Sequence, residues 1–395
     1  MSAARPALLV VDDNDDNRFT LTRRLAREGY TNLTSAVNGR EALERLRAEK
    51  FDLVLLDVMM PEMNGYQVLE HMGADARMAE IPVIMISAVD QVDSVVRCIE
   101  LGADDYLMKP FNPVVLRARV GTSLEKKRLR DEVRANLQRL ERELDAARCL
   151  QLGMLPQAFP QWSRERPVHV HAIMEPAREV GGDLYDFFPA DERTFCFLVG
   201  DVSEKGAPAA MFMARTRSLV RMAVELRREL APDAARSPAS ILATVNRELC
   251  QNNGECMFVS LFLGFLDTAT GELAYVNAGH PAPFVLQSSG SLAKLKSDPD
   301  VPLGVDRNAG YRDGRAALAA ADLLFVYSDG VPEAMNAADE LFGFDRLGAS
   351  LAARPTDPPC NLVAAVKGDV DAFAGNAPKA DDVTMLALRW SPDQA

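Results

Sequence analysis

Histidine is scarce in this 395-residue chain, with four copies, and tryptophan is scarcer, with two. No C-x-x-C pair occurs among Cys98, Cys149, Cys196, Cys250, Cys256 and Cys360. The six therefore read as reduced, mostly packed thiols of a cytosolic protein. Long apolar runs are missing too. The longest, Phe258 to Leu266, is about half of what a bilayer-spanning helix needs, and Ala7–Val11 runs straight into Asp12 and Asp13, so no signal-peptide core is expected. Positive charge is the minority sign, with 44 Lys plus Arg against 57 Asp plus Glu and a formal charge of −13. That balance argues against broad attraction to nucleic acid or anionic lipid. What remains is a cytoplasmic chain with 48% apolar and 26% charged residues, long enough for two or three folded units.

Up to about residue 120 one unit repeats: a short apolar strand, a turn, then an amphipathic helix. Ala7–Val11, Leu33–Ala36, Leu53–Leu56, Val83–Ser87 and Tyr106–Met108 are the strands, with helical periodicity over Arg18–Glu28, Arg40–Glu49 and Val92–Leu101. Near-continuous apolar strands between helices predict a parallel sheet covered on both faces, a doubly wound α/β domain. From Thr122 to Met154 proline disappears and Val133, Leu137, Leu140, Leu144 and Ala147 follow 4-3-4-3 spacing. That is the seam of a short coiled coil, and Gln151 falls on it ahead. Pro156 ends the helix. Beyond it, paired strand-like runs (Leu184–Phe188 with Thr194–Asp201, Phe258–Asp267 with Leu273–Asn277) flank two helical stretches, Ala207–Leu230 and Ser237–Leu249. Further strands are expected at Leu323–Tyr327 and Met385–Trp390, completing an α+β domain built on hairpins. The predicted boundaries are 1–121, 122–155 and 156–395.

Ligands of a doubly wound sheet collect beyond the carboxyl ends of its strands. The residues there are Asp12, Asp13, Asp57, Ser87 and Lys109. Three converging carboxylates repel one another and call for a hard cation such as Mg²⁺, while an ammonium and a hydroxyl suit phosphoryl oxygens. Val11-Asp-Asp13, Leu56-Asp-Val-Met-Met-Pro-Glu-Met-Asn-Gly65, Ile86-Ser-Ala88 and Leu107-Met-Lys-Pro110 resemble the receiver domains of two-component response regulators. The resemblance covers the first 120 residues and implies a five-strand sheet of order 2-1-3-4-5. It makes Asp57 the phosphoacceptor and Asp13 the main Mg²⁺ ligand, assisted by Asp12 and the Met59 carbonyl. Ser87 and Lys109 become the phosphoryl sensors, Tyr106 the aromatic switch, and Lys109–Pro110 a cis peptide bond.

The remainder offers little for nucleophilic catalysis. His280 is the only histidine in a motif-like context, and no Cys or Ser has an obvious base partner. Acid beside glycine stands out instead: Gly181-Gly-Asp-Leu-Tyr-Asp186, Gly200-Asp-Val-Ser203, Tyr327-Ser-Asp-Gly330 and Asp381-Asp-Val-Thr384. Four such sites make an all-oxygen cage for two Mg²⁺ or Mn²⁺ ions, which activate water against a phosphate ester and need no protein nucleophile. In this order, with Leu155-Pro156, Asn277-Ala-Gly-His-Pro281 and Leu341-Phe-Gly343, the motifs look like the metal-dependent serine/threonine phosphatases (PPM family) of the SpoIIE-like branch. The resemblance spans about 148 to 390 and implies a β-sandwich between helices with the ions at its mouth. Carried across, Asp201 bridges the two ions, Asp183 and the Val202 carbonyl complete one, and Asp329 and Asp381 hold the other. Asp382 is the neighbour that leaves the choice within its pair open. Glu204 departs from the family, which has glycine there. His280 is expected to shape its own loop, and Met211, Met213 and Met222 to pack in the core.

Together the two resemblances imply a response regulator whose output is a metal-dependent protein phosphatase. A histidine kinase or phosphotransfer protein would phosphorylate Asp57, a phosphorylated STAS-type anti-sigma antagonist would be the substrate, and the linker helix would pair two copies. Neither nucleic acid nor membrane is an expected partner. The leading alternative is a non-catalytic adaptor that docks a sigma factor or another regulator. A diguanylate cyclase fits worse, because Leu184 and Tyr185 follow Gly181-Gly-Asp183 where that motif continues with an acid and Phe.

Overall fold

Alternation of short apolar strands with capped helices builds the N-terminal unit of the computed structural model, which describes residues 5–88, 92–110, 112–159, 167–230 and 237–392. The elements are β1 (Ala7–Val11), α1 (Asp15–Arg27), β2 (Asn32–Ala36), α2 (Gly39–Ala48), β3 (Leu53–Asp57), α3 (Gly65–Ala74), β4 (Val83–Ser87), α4 (Val92–Glu100), β5 (Asp105–Met108) and α5 (Pro113–Met154). The five strands form a parallel sheet in the order β2-β1-β3-β4-β5, as expected. Leu8, Val10, Leu53 and Leu55 pack on Leu21, Leu25, Leu116 and Val120. Their neighbours Leu9, Val11, Val54 and Leu56 pack on α2 and α3 through Leu43, Leu46, Val68 and Leu69. Both strand faces are buried, which is why these runs lack polar alternation. Asn14, Asn38 and Asn64 each accept a hydrogen bond from the backbone N–H three residues on, so each helix start is fixed by its own cap.

Helix α5 does not begin at Thr122. It runs unbroken for 42 residues through the predicted 121/122 boundary, because no proline occurs between Pro113 and Pro156. The chain divides into two units within it, between Glu141 and Arg142. In the first unit Lys126 pairs with Asp104 at 3.2 Å and Lys127 with Asp52 at 3.6 Å. Val133, Leu137 and Leu140 are exposed along the helix.

The second unit holds β6 (Val168–Glu175), β7 (Leu184–Pro189), β8 (Thr194–Val202), α6 (Ala207–Leu230), α7 (Pro238–Leu249), β9 (Val259–Asp267), β10 (Glu272–Ala278), β11 (Phe284–Leu286), β12 (Leu292–Lys294), β13 (Gly314–Ala317), β14 (Leu323–Tyr327), α8 (Gly343–Ala352), α9 (Pro359–Ala374) and β15 (Val383–Trp390). Two antiparallel five-stranded sheets result, β13-β10-β9-β8-β7 and β12-β11-β14-β15-β6. Phe197 and Phe262 from one sheet share a core with Leu324 and Leu386 from the other, and Val220 and Leu242 of α6 and α7 join it. Behind the second sheet, Phe325, Tyr327 and Met385 pack on Leu347, Val363 and Val366 of α8 and α9. This is the helix-flanked sandwich the PPM resemblance implies.

Two sequence expectations need correction. Met213 is buried, but Met211 and Met222 stand exposed on the outer side of α6. All six cysteines are free, yet only Cys98 and Cys196 are buried, while Cys149, Cys256 and Cys360 are exposed. Composition fixes how many apolar side chains exist, not which face of a helix meets a partner. Among the described residues no helix is long and apolar enough to cross a membrane.

Candidate functional site

In the receiver unit, Asp57 closes β3, Ser87 closes β4, and Asp12, Asp13 and Lys109 follow β1 and β5 directly. A parallel sheet brings all five to one edge. Oxygens of Asp12, Asp13 and Asp57 lie within 4.8 Å of one another. The Lys109 Nζ donates to Asp12 Oδ2 at 2.7 Å and to Asp57 Oδ2 at 2.8 Å. Asp12 Oδ1 accepts from the Asn14 N–H at 3.0 Å and from Asn17 Nδ2 at 3.1 Å. Burial pushes the Asp57 carboxyl above its ordinary range, and the bond and charge of Lys109 work against that shift. For Lys109 burial pulls downward, but the hydrogen bonds to Asp12 and Asp57 outweigh it and hold the ammonium above its usual value. The Met59 N–H also serves the Asp57 carboxylate. Ser87 and Tyr106 are buried, and Lys109–Pro110 is cis. Three carboxylates against one ammonium leave excess negative charge at an oxygen-only site, which fits a divalent cation.

In the second unit the sandwich delivers aspartates from four separate segments. Asp201 lies in β8 opposite Ser260 of β9, Asp329 follows β14, and Asp381 and Asp382 precede β15. Asp201, Asp329 and Asp381 line one cleft of about 570 Å³, together with Val202, Lys205 and His280. Asp183 is buried, and its Oδ2 accepts from Ser328 Oγ at 2.7 Å. Burial, then the charges of Asp201 and Asp382, push Asp183 well above the carboxylate range. Burial, then Asp329 and Asp381, raise Asp201 to about 7. Asp329 rises to about 6 through burial, Asp381 and Glu333. Buried carboxylates without matching cations are costly as anions. The donor set, all oxygen and short of positive charge, fits divalent cations.

The structure separates Asp381 from Asp382. Asp382 Oδ1 accepts from the Ala177 N–H at 2.7 Å, and Oδ2 from the Gly182 N–H at 2.7 Å and the Asp183 N–H at 3.4 Å. Its carboxylate is therefore committed to holding the Gly181–Asp183 turn. A Cβ on Gly181 would collide with that carboxylate, and one on Gly330 with the Asp382 carbonyl, so only glycine permits either approach. Asp381 faces the cleft, where Lys205 Nζ lies 2.9 Å from its Oδ2. The four expected ligands do not form a single tight cage. Among the described residues only the receiver's acids bring three ligand oxygens within 4.8 Å of one another. Lys205 holds Asp381, and Asp183 is drawn down to Ser328.

Glu204 sits at φ 69°, in the left-handed region that glycine favours, so the departure from the family pattern leaves a glycine-like backbone bearing an exposed carboxylate. His280 is buried, and burial drives its imidazole down to about 3. Its Nδ1 lies 2.9 Å from Ser260 Oγ, and its N–H donates to Asn277 Oδ1 at 2.7 Å. Sequence reasoning missed Lys205, Ser328, Thr384 and Gln151 as groups that hold the aspartates or their loops. Ser328 and Thr384 stand inside the motifs given above, Lys205 lies two residues beyond one of them, and Gln151 is the polar residue that follows the apolar part of the seam.

Residues 191–391 match the family described as Stage II sporulation protein E (SpoIIE), and residues 8–121 match the response regulator receiver domain. The chain belongs to the SpoIIE family and joins a receiver domain to a phosphatase domain of the PP2C/SpoIIE type. Protein IcfG of Synechocystis sp. is 29% identical over 279 residues, covering 65% of this chain and 42% of that protein. The probable transcriptional regulator ycf27 of Cyanidium caldarium is 42% identical over 119 residues, 30% of this chain and 46% of its own length. The chain thus spans about half the length of the curated relatives it matches. Among solved structures, the SiaA-PP2C domain of Pseudomonas aeruginosa superposes with a TM-score of 0.56 at 21% identity, over 65% of this chain and 99% of that one, a likeness of fold.

Proposed function

We propose that this chain is a two-component response regulator whose output is metal-dependent hydrolysis of phosphoserine or phosphothreonine. The observation that carries the reading is that Asp201, Asp329 and Asp381 line one cleft and buried Asp183 lies within range of the Asp201 charge, with raised proton affinity at Asp183, Asp201 and Asp329. Asp201, within range of the charges of Asp329, Asp381 and Asp382, would be shared by two Mn²⁺ or Mg²⁺ ions. Asp183 and the Val202 carbonyl would help hold one ion, and Asp329 and Asp381 the other. Bound divalent ions supply an acidified water and charge neutralisation for the phosphoryl oxygens. Ser328 holds the Asp183 carboxylate and is itself held by the Thr384 N–H, Lys205 orients Asp381, and Asp382 fixes the turn that carries Asp183. In the receiver, Asp57 would accept the phosphoryl group of a histidine kinase or phosphotransfer protein, and Asp13, Asp12 and the Met59 carbonyl would hold a Mg²⁺ that neutralises its charge. Lys109 and Ser87 then meet the phosphoryl oxygens, and Tyr106 turns with Ser87.

A phosphorylated STAS-type anti-sigma antagonist is the substrate this family membership favours. Exposed Val133, Leu137 and Leu140 on α5 suit pairing with a second copy. Replacing Asp201→Asn is expected to lower manganese-dependent hydrolysis of an aryl phosphate at least about 100-fold. Undiminished hydrolysis overturns the catalytic assignment.

A further inference from the structure

Residues at the seam positions of α5 are apolar from Val133 to Ala147, and the next is Gln151. A glutamine there is buried rather than exposed like Leu137 or Leu140. Its Nε2 donates to the Gly181 carbonyl at 2.5 Å, and its Oε1 accepts from the Gly181 N–H at 3.1 Å. Both polar groups of one residue's backbone are thus held by one side-chain amide. Only one amide orientation satisfies the two bonds, so donor and acceptor are assigned by the site itself.

Gly181 opens the turn that carries Asp183. The next two N–H groups, of Gly182 and Asp183, point to Asp382 Oδ2. Asp183 Oδ2 in turn meets Ser328 Oγ, whose oxygen accepts from the Thr384 N–H at 3.0 Å. The last turn of α5 is anchored alongside: Leu155 is buried in the sandwich core, and the Tyr185 hydroxyl donates to the Pro156 carbonyl at 3.1 Å. The Gln151 hydrogen bonds and the two peptide links from Gly181 to Asp183 therefore connect the seam face of α5 to the residue whose carboxylate meets Ser328.

We propose that Gln151 is a positioning residue that couples the end of α5 to the cation site, setting where Asp183 stands by its two-point hold on Gly181. The inference rests on the phosphatase reading and adds the place where regulation enters it. A small rotation of α5 about its seam moves the amide relative to Gly181. Buried backbone groups that lose a partner carry a large penalty, so the turn follows the amide rather than parting from it. Asp183 then shifts relative to Asp201, and cation affinity changes with it.

The test uses the full chain with Gln151→Leu, which keeps shape but loses both bonds, and Gln151→Glu, which keeps only the acceptor. Mn²⁺ binding is measured by the electron paramagnetic resonance of free Mn²⁺. Hydrolysis of p-nitrophenyl phosphate is followed against Mn²⁺, with and without beryllofluoride on the receiver. Expected is weaker Mn²⁺ binding by about 10-fold or more in Gln151→Leu, the range that neighbours of metal ligands control, and a smaller loss in Gln151→Glu. At saturating Mn²⁺, KM for the aryl phosphate stays near wild type, and the beryllofluoride effect disappears in Gln151→Leu. Wild-type Mn²⁺ affinity in both variants overturns the inference, as does a beryllofluoride effect that survives in Gln151→Leu or is absent from the wild type. A wild-type chain that binds Mn²⁺ but hydrolyses nothing overturns the phosphatase reading instead. A merely structural Gln151 would lower the melting temperature and leave the Mn²⁺ affinity of the folded protein unmoved.

Discussion

The two acidic centres of this chain solve the same electrostatic problem in opposite ways. At the receiver, Lys109 lies between Asp12 and Asp57 and supplies a counter-charge from within the protein. At the sandwich, Lys205 reaches Asp381, while Asp183 and Asp201 are held by hydroxyls, backbone and one another, and their proton affinity rises. The contrast recurs inside one motif. Three residues after Asp183, the equally buried Asp186 accepts from Arg221 Nε at 2.5 Å and lies 3.0 Å from Arg217 Nε. Among the described residues of the sandwich, the buried acid that braces the fold has its own cations, whereas the pair Asp183 and Asp201 forms no ion pair with Lys or Arg.

Four substitutions put that contrast to the test. Removing the braced acid, Asp186→Ala, strands two arginines and should cost about 3–4 kcal/mol by chemical denaturation, with or without Mn²⁺. Lys109→Ala leaves Asp12 and Asp57 facing each other; a loss of about 2–3 kcal/mol is expected, and added Mg²⁺ should restore part of it. A wild-type denaturation curve for Lys109→Ala would show that the lysine is not the counter-ion.

Asp183→Asn should do the reverse in chelator-treated protein. The folded Asp183 keeps a proton that the unfolded chain releases above about pH 4, so this group's contribution falls as pH rises toward the folded value. The asparagine variant should be the more stable at pH 7.5, with the gap closing near pH 4. Saturating Mn²⁺ should invert the order, because only the wild type binds it fully. His280 gives the smallest effect and the opposite slope. Its folded value of about 3 lies below the unfolded one, so stability is complete above about pH 6.5 and declines as pH falls. About 1–2 kcal/mol should be lost by pH 5 in the wild type and not in His280→Asn.

Much of this was legible in residue order. The central receiver strands β1, β3 and β4 showed because both of their faces are buried, and the sandwich hairpins because strand runs come in pairs around turn residues such as Asp267 and Gly271. Helix α3 was not read as one because its start, Asn64-Gly65, belongs to the phosphoacceptor motif and reads as a turn. Strands β11, β12 and β13, of three or four residues each, fall below the length at which periodicity is visible. The receiver match ends at residue 121, where the boundary was drawn, but the helix continues through it, because a change in composition is not a break in hydrogen bonding.

Local chemistry in the sequence determined which residue types were available for ion binding: aspartates beside glycines, where a backbone can bend closely enough to present them. Folding alone decided their roles. Asp381 and Asp382 are adjacent and chemically identical, yet one carboxylate is turned to a lysine at the cleft and the other is consumed by three backbone N–H groups. Gln151 could equally have been one more solvated side chain on a charged helix. Which partner a polar group meets depends on segments brought together from 30 to 205 positions away, and no local pattern encodes such a meeting.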